Sequence, residues 1–287
     1  MAEKKISIIG SGWVGTAIGL GYTKLGYQVI FHDIVAKDLP NFTRDIHAAI
    51  EETDVSFICV PTPTSEGQID LRYIKEATIA IGKALAARTT YHVVVVKSTV
   101  VPTTTETVVL PLLERYSGKQ AGEFGVCMNP EFLTEIASSW SADEASNRDF
   151  FTEDRIVIGA YDKRSGDILE DLYRPLHKPI FRTDLRTAEL IKYASNCMLA
   201  TKISYWNEVY LLCEQLGIDS QEVASIVAQD PRIGTYGSVH GKAFGGKCLP
   251  KDLKAFISFA DEYRKTKLLK AVDAINEEMK DRFGVRE

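Results

Sequence analysis

The chain has 287 residues, a net charge of −5, 45% hydrophobic residues and 25% charged ones. That is the balance of a protein folded around a buried core, with room for one large domain or two ordinary ones. The acidic balance, without a lysine or arginine run, sets aside a nucleic-acid binder, and no apolar run approaches the ~20 residues of a membrane helix.

The N-terminal MAEKKISIIG reads as the start of a strand, not as a signal peptide. Short β-rich runs then recur: KISII (5–9), QVIFHD (28–33), VSFICV (55–60), HVVVVK (92–97), FGVCMN (124–129), RIVIGA (155–160) and PIFRT (179–183). Helical patterns such as DLRYIKEATIAIGKALA (70–86) lie between most of them. The alternation predicts βαβ units, and runs that stay apolar throughout predict a sheet covered on both faces. The expectation is an α/β fold, with a Rossmann-like doubly wound parallel sheet over residues 1–183.

Beyond residue 183 the strands stop. TAELIKYASNCMLATKISYWNEVYLLCEQLG has no proline and no internal glycine, with Asp184 placed as N-cap and Gly217 as the stop. This predicts one helix of about 30 residues, some ~45 Å long. DSQE (219–222) fits a capping box, a glycine-rich loop covers 232–247, Pro250 fits the first position of a further helix, and KLLKAVDAINEEMKDRF forms the last one. An all-α domain built on one long helix is expected over 184–287.

Five cysteines stand at 59, 127, 197, 213 and 248, an odd number without a CxxC pair. That spacing argues for a reducing, cytoplasmic setting without disulfides or a zinc site. The histidines show no metal spacing, so no metal is expected. The first four cysteines lie in apolar patterns and read as small core residues. Cys248 does not.

GSGWVG (10–15) is a GxGxxG turn between a strand and a helix. Its glycines admit a pyrophosphate close to the backbone, and the helix start supplies free N–H groups. Trp13 and Val14 fill the turn. Asp33 ends the next strand, eighteen residues after Gly15. A carboxylate there accepts hydrogen bonds from ribose hydroxyls and repels a 2′-phosphate, so NAD is expected over NADP, with Lys37 the one cation that tempers the choice. VPTPTSEGQIDL (60–71) and KSTVVPTTT (97–105) leave their strands as rigid loops. Pro61, Thr62, Ser98 and Thr99 stand where such sheets bind their ligands, beyond the carboxyl ends of the strands; each also suits an ordinary turn.

In NPEFLTE (129–135), Glu131 and Glu135 are four apart and share one face of a helical turn, either for acid–base work or as a solvated face. Glu189, Lys192 and Asn196 fall at i, i+3 and i+7, also one face, which could bind hydroxyls or an oxyanion or form a plain polar stripe. In FGGKCLPKD (244–252), Cys248 sits just outside a helix start and between Lys247 and Lys251, all of which favour the thiolate, while Asp252 opposes it. An NAD enzyme gains from a cysteine when it makes an acid. Sulfur adds to an aldehyde, hydride leaves, and water cleaves the thioester.

These segments together, with DRIVIG, DPRIG and AELIKYASNCMLATKISYWNE, appear in the order of the UDP-glucose/GDP-mannose dehydrogenase family, which the chain resembles over about residues 4–283. Members oxidise a nucleotide sugar twice at C6 with NAD. The resemblance implies that Cys248 is the nucleophile and that Lys192 and Asn196 stabilise oxyanions and hold the water. It implies that Asp252 activates that water and that Glu131 assists thioester hydrolysis. It places Gly10, Gly12, Gly15, Asp33, Thr62, Thr99 and Glu135 on NAD. Phe132, Leu133, Arg232, Phe244, Gly245 and Lys251 fall to the sugar nucleotide, and the long helix to a homodimer. A UDP-glucose 6-dehydrogenase type of activity follows; UDP-N-acetylhexosamine, GDP-mannose, or a non-autonomous NAD-binding component of an assembly are the alternatives. Three departures stand out. The family normally carries a third, nucleotide-gripping domain, and this sequence ends at Glu287, near the family's connecting helix. Only 20 residues separate Asp33 from Asp54, so one helix is expected to be reduced. NPEFLTEIASSW lacks the family's glycine after the second glutamate, and Lys247 replaces a small residue.

Overall fold

A computed structural model describes residues 4–65, 67–134, 140–141 and 148–286. The chain divides into two compact units. The first comprises Met1–Pro63, Asp70–Leu133 and Arg148–Lys192; the second comprises Thr64–Ile69, Thr134–Asn147 and Tyr193–Glu287. A single cut at 183/184 thus differs from these units by two excursions and by residues 184 to 192, which are Asp184 and the first eight residues of the long helix.

The first unit carries β1 (Lys5–Ile9), β2 (Gln28–His32), β3 (Phe42–Thr43) and β4 (Val55–Ile58), and the second carries the short β5 (Thr64–Ser65) and β6 (Gln68–Ile69). Back in the first unit follow β7 (Val93–Val96), β8 (Gly125–Met128), β9 (Ile156–Ala160) and β10 (Ile180–Thr183). The helices of this unit are α1 (Trp13–Lys24), α2 (Ile46–Glu51), α3 (Arg72–Ala86), α4 (Leu110–Ser117) and α5 (Lys163–Tyr173), joined by the start of α6 (Leu185–Leu216). All seven anticipated strands are present.

The sheet runs β10-β9-β8-β7-β4-β1-β2-β3. Its middle is a doubly wound order whose direction of travel reverses beside β1 and β4, the switch point at which such sheets take ligands. β7 shows why the runs are apolar throughout. Val93 and Val95 pack on one side with Ile18 and Tyr22 of α1, while Val94 and Val96 pack on the other with Ile81 of α3 and Leu113 of α4. Each buried valine contributes roughly 1.5–3 kcal/mol.

One correction applies to the sheet. β9 runs antiparallel to β8, with Cys127 opposite Ala160. A strand buried on both faces carries the same composition in either direction, so its polarity leaves no trace in the residue pattern. Between β2 and β4 only β3 and the six-residue α2 remain, which bears out the expected reduction of a helix.

In the second unit, α6 continues from Tyr193 to Leu216, followed by α7 (Ser220–Val227), β11 (Ala243–Phe244), α8 (Leu249–Asp261), α9 (Lys267–Phe283) and β12 (Val285–Arg286). Asp184 caps α6, accepting from Thr187 N at 2.8 Å, and Gly217 ends it at φ +66°. Asp219 caps α7 through the amides of Gln221 and Glu222. The sequence predicts an all-α unit, and the structure corrects this: β5 pairs β6, and β11 pairs β12. Two-residue strands are too short to leave a periodic signal. Pro250 occupies the second position of α8, not the first. The core here is Trp140, Cys197, Ala200, Ile203, Phe244, Leu253 and Val272. Among the described residues, no helix is long and apolar enough to cross a membrane, and no group of three or more His, Cys, Asp or Glu is arranged to hold a metal.

Candidate active site

In the first unit, the anticipated cofactor residues begin at the turn after β1. Gly10 has φ +96°, and a Cβ there would lie 2.8 Å from Cys59 O. A Cβ on Gly15 would lie 2.1 Å from Gly10 O, so the helix could not start this close to the strand. Gly12 is the N-cap of α1 and has no side-chain cap; a Cβ on it would meet nothing within 4 Å. The space beside Gly12 at the start of α1 is open, as an anion site requires. Asp33 accepts from Ser11 N (2.9 Å) with one oxygen and from Val35 N (3.0 Å) with the other. The carboxylate is held at the end of β2 with lone pairs to spare for ribose hydroxyls. Trp13 and Lys37 are exposed and Val14 is half-buried. These residues fit a dinucleotide with an unmodified ribose.

The loops after β4 and β7 are tied to each other. Thr62 Oγ1 donates to Thr99 O (2.8 Å), and Ser98 Oγ donates to Val60 O (2.6 Å). Both hydroxyl protons are thus engaged within the protein, which fixes the loop shapes around exposed Pro61. Further along, Thr103 adopts φ +80°, uncommon for a β-branched residue. Its N–H donates to Glu189 Oε2 (2.6 Å), and Thr105 N–H donates to Oε1 (2.7 Å). Glu189 therefore caps the π-helical turn Thr105–Val109 that leads into α4 instead of adding to the face of Lys192. Burial pushes its carboxyl up to about 7, against the pull of the two threonines.

Glu131 is buried, with Oε2 3.7 Å from Lys192 Nζ and with no hydrogen-bond partner for Oε1 among the described residues. The Lys192 ammonium also lies 5.3 Å from the Phe132 ring centre. Phe132 is buried and Leu133 half-buried. Glu135 lies outside the described residues.

In the second unit Cys248 is exposed and is the N-cap residue of α8. Asp252, one turn on and 1% exposed, accepts from Asn196 Nδ2 (2.6 Å) and from Lys251 Nζ (2.5 Å). Its N–H donates back to Cys248 O at 2.9 Å. Cysteines 59, 127, 197 and 213 are all buried, and burial pushes the thiols of Cys59, Cys127 and Cys197 up to about 12. At these positions the thiol stays protonated, and Cys248 is the exposed one.

The UDP-glucose/GDP-mannose dehydrogenase family matches twice: its NAD binding domain over residues 35–177 and its central domain over residues 186–278. The chain belongs to this family. It is 38% identical to a GDP-mannose 6-dehydrogenase of Pseudomonas syringae over 88% of this chain and 63% of that one. It is 36% identical to a UDP-glucose 6-dehydrogenase of Haloferax volcanii, over 97% of this chain and 71% of that one. A solved UDP-glucose dehydrogenase from Pyrobaculum islandicum superposes with a TM-score of 0.88 at 36% identity, covering 98% of this chain and 72% of that one. The chain thus spans a little under two thirds of the GDP-mannose 6-dehydrogenases it matches. The match to the NAD binding domain begins at residue 35, and the glycine turn and Asp33 lie just before it in sequence.

The remaining anticipated residues of this family member are less uniform. Arg232 is exposed and held by Asp230 through Nε (3.0 Å) and Nη2 (2.6 Å). Phe244 is buried, with its N–H given to Asn276 Oδ1 (2.8 Å). The outward parts of that loop are Gly245, half-buried, and Gly246, exposed. The residue reading missed Lys97 and Glu153, two charges buried beside Glu131. A lysine after four valines reads as a strand emerging into water, and a glutamate in FTEDR as a surface loop.

Proposed function

We propose that the chain carries the NAD-binding and oxidising parts of a nucleotide-sugar 6-dehydrogenase, with UDP-glucose as substrate and UDP-glucuronate as product. The observation that carries this reading is the arrangement at α8: an exposed Cys248 at the helix start, and a buried Asp252 one turn away whose oxygens are fixed by Asn196 and Lys251.

When bound, NAD accepts hydride. The C6 alcohol gives up a hydride and a proton to become an aldehyde. Cys248 sulfur forms a bond to C6, and the proton returns to the new hydroxyl. A second hydride and the hydroxyl proton then leave, and the thioester remains. Water adds to C6, the C–S bond breaks, and Cys248 regains its proton. One alcohol, one water and two NAD⁺ become a carboxylate, two NADH and three protons. Asp252, oriented by Asn196, draws the proton of the water; Lys192 steadies the oxyanion; Glu131, with a free oxygen, assists the hydrolysis. An exposed thiol with this duty suits a reducing cytoplasm. Met198, Tyr205, Leu212 and Leu216 form an exposed apolar stripe along α6 at helical spacing, which supports a homodimer through that helix.

The relatives also include GDP-mannose 6-dehydrogenases, so the test is a panel. Pure protein is incubated with NAD and UDP-glucose, UDP-N-acetylhexosamines or GDP-mannose, and NADH is counted per sugar consumed. Two NADH with UDP-glucose is the expected result. Two with GDP-mannose moves the substrate, and no turnover with any sugar overturns the reading.

A further inference from the structure

Glu131 does not stand alone in its unit. Four ionisable side chains lie together there, nearly all out of water: Lys97 at 1% exposure, Glu153 at 2%, Lys192 at 4% and Glu131 at 7%. Isolated buried charges of this kind are costly, and their retention calls for close compensation. Two lysines against two glutamates supply it.

The hydrogen bonds are more specific than the charge balance. Lys97 Nζ donates to Pro130 O (3.2 Å) and to Asn129 Oδ1 (3.0 Å). Asn129 Oδ1 also accepts from the Tyr173 hydroxyl (2.5 Å), and Asn129 Nδ2 donates to Val157 O (2.8 Å). On the other side of Glu131, Phe132 N donates to Glu153 Oε1 (3.2 Å). Both peptide groups that flank Glu131 are therefore gripped, one by its carbonyl and one by its N–H, by two ionisable side chains from other parts of the chain. Charge-assisted bonds are about twice as strong as neutral ones. Between the two grips the Glu131 side chain keeps one oxygen near Lys192 and one without a hydrogen-bond partner among the described residues.

We infer that Lys97 and Glu153 are positioning residues, a paired clamp on the Pro130–Phe132 backbone that holds the Glu131 carboxylate in its working orientation. The inference rests on the role given to Glu131 above. Burial pulls the Lys97 ammonium down, but Tyr173, Glu153 and Glu131 more than offset this and leave it above its ordinary value. Burial leaves the Glu153 carboxyl raised above its ordinary value, a shift that Lys97 and the Phe132 amide offset only in part. Lys97 is engaged with Pro130 O and the side chains of Asn129 and Tyr173, and Glu153 with Phe132 N–H.

The test compares Glu153→Ala, Glu153→Gln and Lys97→Met in the full chain. Amide exchange at Phe132 is read by ¹⁵N NMR with no substrate present. The alanine variant is expected to exchange there at least about tenfold faster while β7 and β8 amides keep their protection. The glutamine variant, which can still accept from Phe132 N–H, is expected to stay near the parent. With the sugar that the parent turns over, Glu153→Ala and Lys97→Met lower kcat about 10²-fold, the cost of a small misplacement, with KM for NAD unchanged, and Glu153→Gln restores most of it. Unchanged Phe132 exchange in Glu153→Ala overturns the clamp. So does a Glu153→Gln as slow as the alanine variant, or a loss of kcat that tracks loss of NAD binding. If no nucleotide sugar is oxidised by the parent, the proposed function fails, while the exchange result still decides the clamp.

Discussion

His92 should make this protein acid-sensitive by a computable amount. The ring is 1% exposed. Nδ1 lies 3.0 Å from Thr53 O, an acceptor only, so Nδ1 carries the proton, and Nε2 accepts from Ser56 Oγ at 2.7 Å. Ser56 Oγ is 2.6 Å from Ser7 Oγ on the neighbouring strand, and Thr53 Oγ1 is 3.0 Å from Ser7 Oγ. Burial, helped by Arg88, lowers the imidazole from 6.5 to about 3. The unfolded chain therefore binds a proton that the folded one refuses between those values. Stability from this group is complete above pH 6.5 and drains as pH falls, at ~1.4 kcal/mol per unit, to a total near ~5 kcal/mol at about pH 3. Urea unfolding of the parent and of His92→Gln, between about pH 4 and 7, isolates the effect, because the other groups titrate in both. The advantage of the parent over the variant should shrink by about 3 kcal/mol from about pH 6 to 4. A pH-independent difference would refute the idea that burial keeps this imidazole neutral.

Three further outcomes are expected. Cys248→Ser should bind NAD as the parent does, read by cofactor fluorescence, yet form acid at least about 10²-fold more slowly; acid formation at the parent rate rules out a covalent route. Asp33→Asn should weaken NAD and narrow its preference over NADP, since the repulsion of a 2′-phosphate is lost; unchanged titrations with both cofactors would remove Asp33 from the ribose. Glu189→Gln presents one oxygen to two amides and should cost about 1–3 kcal/mol at mildly acidic pH. Because the folded carboxyl is raised to about 7, the stability the parent draws from it is present in acid and lost as pH rises through that value. The variant's deficit should then shrink in alkaline urea titrations, and a constant deficit contradicts the assignment.

Local pattern carried much of the architecture. Asp184 and Gly217 bracket a helix of 32 residues because capping and left-handed termination are properties of single residues. Cys248 was conspicuous because its neighbours are polar, and it is exposed. What stayed hidden depends on partners distant in sequence. Lys97 is buried because Asn129 and Pro130, more than 30 residues later, receive its protons. Ser7 and Ser56 read as weak strand residues until the register of β1 and β4 sets them side by side. Glu189 shares a helical spacing with Lys192, yet the amides of Thr103 and Thr105 claim it. Spacing tells which residues share a face; it does not tell what meets that face.

The last strand has a practical consequence. β12 pairs in parallel with β11 through Ala243 N to Gly284 O (3.1 Å) and Gly245 N to Arg286 O (3.2 Å), and a Cβ on Gly245 would strike Val285 at 2.1 Å. The carboxyl end of the sequence is thus laced to the segment that delivers the thiol three residues later. A substitution at Val285 or Arg286 would therefore act on the loop that carries Cys248 through these two backbone hydrogen bonds, and a loss of activity there would report the set of the loop and not a part in the chemistry.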